Sequence, residues 1–164
     1  GMEMFLEFMN YYKVISVEKL REIDKEFAEI LYFEAKNQAE NIQRDKPSYI
    51  FITKLFALIE SGNAVIINKN EANNHQPVNF IGYEDDEFYY LNKSICHKTV
   101  KKLCDEQGEN FNITERGLLK ALAEEELIST GENQNTKSVR CGAKTIRLMC
   151  LYKSKAQAIY DSSL

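Results

Sequence analysis

A chain of 164 residues, 44% hydrophobic and 11% aromatic, can bury one ordinary core with a helical appendage. No apolar run nears the roughly 20 residues of a membrane span, no secretory leader is visible, and the four cysteines stand singly, so a soluble cytoplasmic protein with buried thiols is expected. The net charge of −4 is unevenly laid. Residues 1–132 carry 15 basic and 24 acidic side chains, whereas 133–160 hold Lys137, Arg140, Lys144, Arg147, Lys153 and Lys155 and no carboxylate. A chain acidic overall with one basic edge is expected to touch something anionic there.

In chain order, Gly1 before Met2 reads as a tag-cleavage remnant and is set aside. Ser16 is placed to cap a helix in which Leu20, Ile23, Phe27, Ile30, Leu31, Ala35, Ala39 and Ile42 recur at steps of three and four. The pattern predicts one amphipathic helix of about 28 residues ending near Arg44. Asp45-Lys46-Pro47 breaks it. Pro47 or Ser48 then opens a second helix whose Ile50, Phe51, Ile52, Leu55, Phe56, Leu58 and Ile59 cover nearly the whole circumference before Ser61-Gly62 ends it. A helix apolar all round belongs at the centre of a fold. The upstream stripe needs a cover, expected from this second helix and from Phe5, Phe8 and Met9. The competing cover is a second copy bound through Leu20, Ile23, Phe27, Ile30 and Leu31. A monomer is preferred, because the pattern lasts barely four heptads.

Ala64-Val65-Ile66-Ile67 reads as a short buried strand and 68–77 as a surface loop. Phe80 to Tyr83 and Phe88 to Leu91 flank the acidic tip Glu84-Asp85-Asp86-Glu87 as a hairpin. Asn92 or Ser94 caps a helix carrying Ile95, Val100, Leu103 and Cys104, with Gly108 just past its end. Thr114 caps a further helix running through Leu118, Leu119, Leu122 and Leu127. Ser138 to Cys141 and Lys144 to Arg147 then form two strands around Gly142-Ala143, glycine in the first central position being what a type II′ turn asks for. That turn pairs Cys141 with Lys144, Arg140 with Thr145, Val139 with Ile146 and Ser138 with Arg147. Alternation buries Val139, Cys141, Ile146, Leu148 and Cys150 and leaves Arg140 and Arg147 on the open face.

Helix, linker, helix and two-stranded hairpin is the order of a winged helix. The expected fold is therefore α+β, with an N-terminal helical hairpin over 1–62, a winged-helix-like domain with two β-hairpins over 63–155, and a tail over 156–164. Arg140 and Arg147, helped by Lys137 and Lys144, would contact phosphates, while Arg116 and Lys120 project from the exposed side of the Thr114-capped helix. A charged outer face on an edge hairpin also serves to block pairing with stray strands, and Glu124, Glu125 and Glu126 at the end of a reading helix would repel a phosphate backbone. The three carboxylates favour the alternative, a protein-interaction or oligomerisation module using the long helix and the wing.

Phe80 to Leu91, Glu106-Gln107-Gly108-Glu109 with Phe111, Leu118-Leu119 with Leu122 to Ile128, and Arg140-Cys141-Gly142 with Arg147 carry a resemblance. Over roughly residues 50–153 the chain resembles the C-terminal region of primase-helicase-like replication proteins of phages and integrative mobile elements of Gram-positive bacteria. The resemblance implies an accessory module that grips DNA, duplex or single-stranded, or RNA, alongside other replication proteins. It implies no catalysis, since the chain holds no GxxxxGK[ST] phosphate loop. Other chemistry is not expected. Consecutive carboxylates on a hairpin tip point apart, neighbouring Cys96 and His97 sit about 100° apart around a helix axis, and His75 has no thiol or second imidazole near it, so no catalytic residue, metal or cofactor is predicted. Phe88, Tyr89 and Tyr90 could stack bases but more often such residues pack a core.

Overall fold

The computed structural model of the chain describes residues 2–12, 16–71, 76–131, 135–141 and 144–163. They fall into two compact units, Gly1–Arg44 and Asp45–Leu164.

The first unit holds helices α1 (Met2–Tyr11) and α2 (Val17–Arg44). Ser16 caps α2 as its sequence suggests, its hydroxyl oxygen accepting the Lys19 N–H at 3.2 Å. At 28 residues the helix is about 42 Å long. Its apolar residues are not covered as expected: Phe27 is 38% exposed, Ile30 58% and Leu31 53%, and Phe5 and Phe8 on α1 are exposed too. The ten-residue α1 is too short to roof a stripe of that length.

The second unit begins with α3 (Pro47–Glu60), so the boundary expected after residue 62 falls inside it. Pro47 occupies the first turn, where its missing N–H costs nothing, and Ser61 closes the far end with Gly62 at φ +72°. Phe51, Ile52, Leu55 and Phe56 are buried in one cluster with residues from the sheet and every other helix of the unit. At 0 to 1% exposure, Phe51, Ile52 and Leu55 make α3 the central helix that its all-round apolar sequence predicts.

The sheet is mixed and five-stranded, in the order β1-β2-β3-β5-β4. Its strands are β1 (Val65–Asn68), β2 (Phe80–Glu84), β3 (Phe88–Leu91), β4 (Lys137–Cys141) and β5 (Lys144–Tyr152). Edge strand β1 runs parallel to β2 and is half-buried rather than buried. β2 and β3 are antiparallel with Tyr83 opposite Tyr90, and they approach closely at Gly82, where any Cβ would run into the Tyr90 carbonyl and the Leu91 backbone. β5 lies antiparallel to both β3 and β4. One sheet face bears the main core, where Leu91, Met149 and Leu151 meet the helices. The other carries a second cluster of Tyr83, Tyr90, Val139, Cys141, Leu148 and Cys150.

Between β3 and β4 come α4 (Lys93–Gln107) and α5 (Glu115–Glu124). Asn92 caps α4 and Gly108 ends it in the left-handed conformation at φ +71°, while the Thr114 hydroxyl accepts the Gly117 N–H at 3.1 Å to cap α5. α5 stops sooner than its leucine spacing suggests. Glu126 turns at φ +53° and the Leu127 N–H reaches back to the Leu122 carbonyl, so Leu127 is buried beyond the helix. The segment expected as a tail carries most of a further helix, α6 (Lys153–Asp161), which sinks Ala156 and Tyr160 into the core beside Phe56.

Candidate nucleic-acid interface

β4 and β5 pair with Cys141 opposite Lys144, Arg140 opposite Thr145, Val139 opposite Ile146 and Ser138 opposite Arg147, the register read from the sequence. The intervening Gly142 and Ala143, and with them the turn type, lie outside the described residues, as do the side chain of Lys144 and all of His75. Val139, Cys141 and Leu148 are buried and Ile146 half-buried, while Ser138, Arg140, Thr145 and Arg147 are exposed. Diagonal positions on an antiparallel pair are about 7–8 Å apart, which puts Arg140 and Arg147 side by side.

Strand alternation also says which side they take. Arg147 is two residues from Met149 and four from Leu151, both in the cluster that includes Leu118, Leu119 and Leu122 of α5. The two arginines therefore project from the face on which α5 packs, at the strand ends where the helices no longer cover it. α5 itself turns Arg116, Lys120 and Glu124 outward along one exposed line at steps of four.

The basic edge is thinner than the sequence count suggests. Lys137 lies on the Val139 side of β4, away from the two arginines, and donates to the Ser129 hydroxyl at 2.6 Å. Lys153 is bonded to Glu84 at 2.7 Å, and Lys155 to Glu126, at 2.7 Å from its carbonyl and 3.6 Å from its carboxylate. Lys120 pairs with Glu124 at 3.5 Å. Among the described residues, Arg116, Arg140 and Arg147 are in no ion pair.

The same pairs answer the objection raised by Glu124, Glu125 and Glu126. Glu124 and Glu126 have the lysines just named, and Glu125 turns inward to accept from the buried Ser48 hydroxyl at 2.9 Å, with the Lys46 ammonium at 3.9 Å. The three charges are met locally and present a weaker field to an approaching phosphate than their sequence implies.

The remaining candidates resolve into structural roles. Asp85 turns back from the acidic tip, taking the Tyr90 hydroxyl at 2.6 Å, the N–H groups of Glu87 and Phe88, and Lys69 at 3.6 Å. Burial works to raise its pKa, but those partners outweigh it and hold the carboxyl below its usual value. Cys96 is fully buried and burial pushes its thiol up to about 12, so it carries no thiolate near neutrality. His97 donates from Nε2 to the Ile113 carbonyl at 2.8 Å and fastens the linker before α5. Tyr89 packs edge-on against Phe56, with ring centroids 5.6 Å apart. Lys69, whose ammonium sits 4.7 Å from the centre of the Tyr90 ring, is a neighbour that no sequence spacing announces. Among the described residues no group of three His, Cys, Asp or Glu could hold a metal ion, and no helix is long and apolar enough to cross a membrane.

A comparison with protein-family models finds no match, and no curated protein matches the chain.

Proposed function

We propose that residues 45–164 form a winged-helix-like, noncatalytic module that binds nucleic acid through phosphates, with β4 and β5 as the wing and α5 as the helix beside it. The observation that carries this reading is the pair Arg140 and Arg147, exposed together without a carboxylate partner among the described residues, on the side of the sheet where α5 packs. The strand and helix order supports it: with β1 and β2 inserted between α3 and β3, the elements α3, β3, α4, α5, β4 and β5, with β5 between β3 and β4, follow the succession of a winged helix. Arg116 extends the cationic surface along α5, where Lys120 is shared with Glu124, and Lys137 and Lys144 begin the two strands of the wing. Guanidinium groups suit phosphate oxygens because their fork of donors matches them two at a time. The resemblance to the C-terminal region of primase-helicase-like proteins suggests DNA replication in a mobile element or phage as the setting, with DNA, single- or double-stranded, or RNA as ligand and other replication proteins as partners.

Binding to a generic duplex, titrated over several salt concentrations, tests this. Arg140→Ala with Arg147→Ala should weaken binding for all sequences alike and flatten the slope of log affinity against log salt by about 0.9 for each phosphate the variant no longer neutralises. A folded double variant with the parent's slope would remove the wing from the interface, and a parent that binds no nucleic acid at low salt would remove the function.

A second reading, association through α2, draws on the exposure of Phe27, Ile30 and Leu31. A parent dimer that Phe27→Ala abolishes, seen by light scattering, would raise this reading above the first.

A further inference from the structure

On the sheet face opposite the helices, a hollow of about 320 Å³ opens against β3 and β4. Tyr90, Val139 and Cys150 are its buried lining, half-buried Phe88 supplies a second ring, and Lys69 and Lys137 bring two cationic groups to it, while Arg140 borders it from edge strand β4 with its side chain on the other face. Among the described residues no carboxylate lines it, in a chain whose net charge is −4. Asp85, in contact with the lining residues Tyr90 and Lys69, is engaged by both. The volume is at the lower end for small-molecule sites, room for one nucleotide rather than a run of strand. Aromatic rings beneath and cations around suit a flat base joined to a phosphate, and edge strand β4 borders the hollow on one face while carrying Arg140 on the other, so a strand held by the wing need only turn over that edge to reach it.

From this we infer that the hollow receives one unpaired nucleotide of a strand whose duplex part is held by the wing, so that the preferred ligand is a duplex with a single-stranded tail. A base inside a duplex is stacked on both faces and cannot enter such a site; only one already out of the stack can. The inference rests on the nucleic-acid reading of the wing and adds a ligand class to it.

The test compares a duplex with the same duplex carrying a short oligothymidine tail, at fixed salt. The tail should tighten binding by about tenfold, within the range for stacking of a single base. Phe88→Ala and Lys69→Ala should each remove most of that gain and leave plain-duplex affinity unchanged; half-buried Lys69 belongs to neither apolar cluster, so its variant folds even if loss of Phe88 disturbs the sheet. Arg140→Ala with Arg147→Ala should weaken both ligands. Equal affinity for tailed and plain duplex would overturn the inference while sparing the wing, whereas no binding of either overturns both. A tail gain that persists in Lys69→Ala and in folded Phe88→Ala would place the base elsewhere. If the tail gives no gain and a polyglutamate peptide binds in a Lys69-dependent way, the hollow belongs to an acidic protein partner and the inference falls.

Discussion

Phe27, Ile30 and Leu31 on α2 and Phe51, Ile52 and Leu55 on α3 are residues of the same kinds, on two helices that share a break at 45–47, and they meet opposite ends. The first three are 38 to 58% exposed and the last three at most 1%. Apolar content therefore does not decide burial. α3 is apolar around its circumference and has β-strands and three other helices to pack against, whereas α2 offers one stripe and its unit contains only the ten-residue α1. Burying a helix needs a second surface of matching length, and only one of these two units supplies it.

The contrast can be broken by truncating each helix in turn. Phe51→Ala should cost about 3–5 kcal/mol, since the surrounding core cannot collapse fully into the space. Chemical denaturation of the variant measures it, and a loss under about 1 kcal/mol would mean that α3 is not the centre. A smaller effect is expected where the sheet under α3 draws tight. Gly82→Ala forces a methyl group into the Tyr90 carbonyl and should cost about 1–3 kcal/mol, read from the same denaturation curves. The smallest loss belongs to α2: Phe27→Ala should cost about 1 kcal/mol or less, because its ring is already part-exposed. A larger loss that grows with protein concentration would show that a second copy covers the stripe.

Much of the second unit is legible in the sequence, for local reasons. Alternation and a central glycine are enough for the Arg140–Thr145 register, and side-chain caps mark the starts of α2, α4 and α5. What stays hidden depends on distant residues. β1 takes a parallel partner 15 residues on, a matter of tertiary packing that no turn specifies. α6 has no side-chain cap, and its buried Ala156 and Tyr160 make too faint a pattern to announce a helix. Arg140 and Arg147 are legible as the outward members of an alternation. The capture of Lys153 and Lys155 by partners 69 and 29 residues away is not.

The hydroxyl of Tyr160 donates to the Glu60 carboxylate at 2.5 Å across a separation of 100 residues, joining the first and last helices of the second unit. Between them in the chain lie all five strands. During synthesis this unit therefore cannot reach its finished packing until residue 160 has cleared the ribosome, and Phe56 waits without its stacking partner for most of that time. Long-range closure of this kind favours slow, all-or-none folding over piecemeal assembly. β4 and β5 are thereby tied to the last helix of this unit, and a nascent chain that stops short of it would hold Arg140 and Arg147 in order along the sequence but not in place.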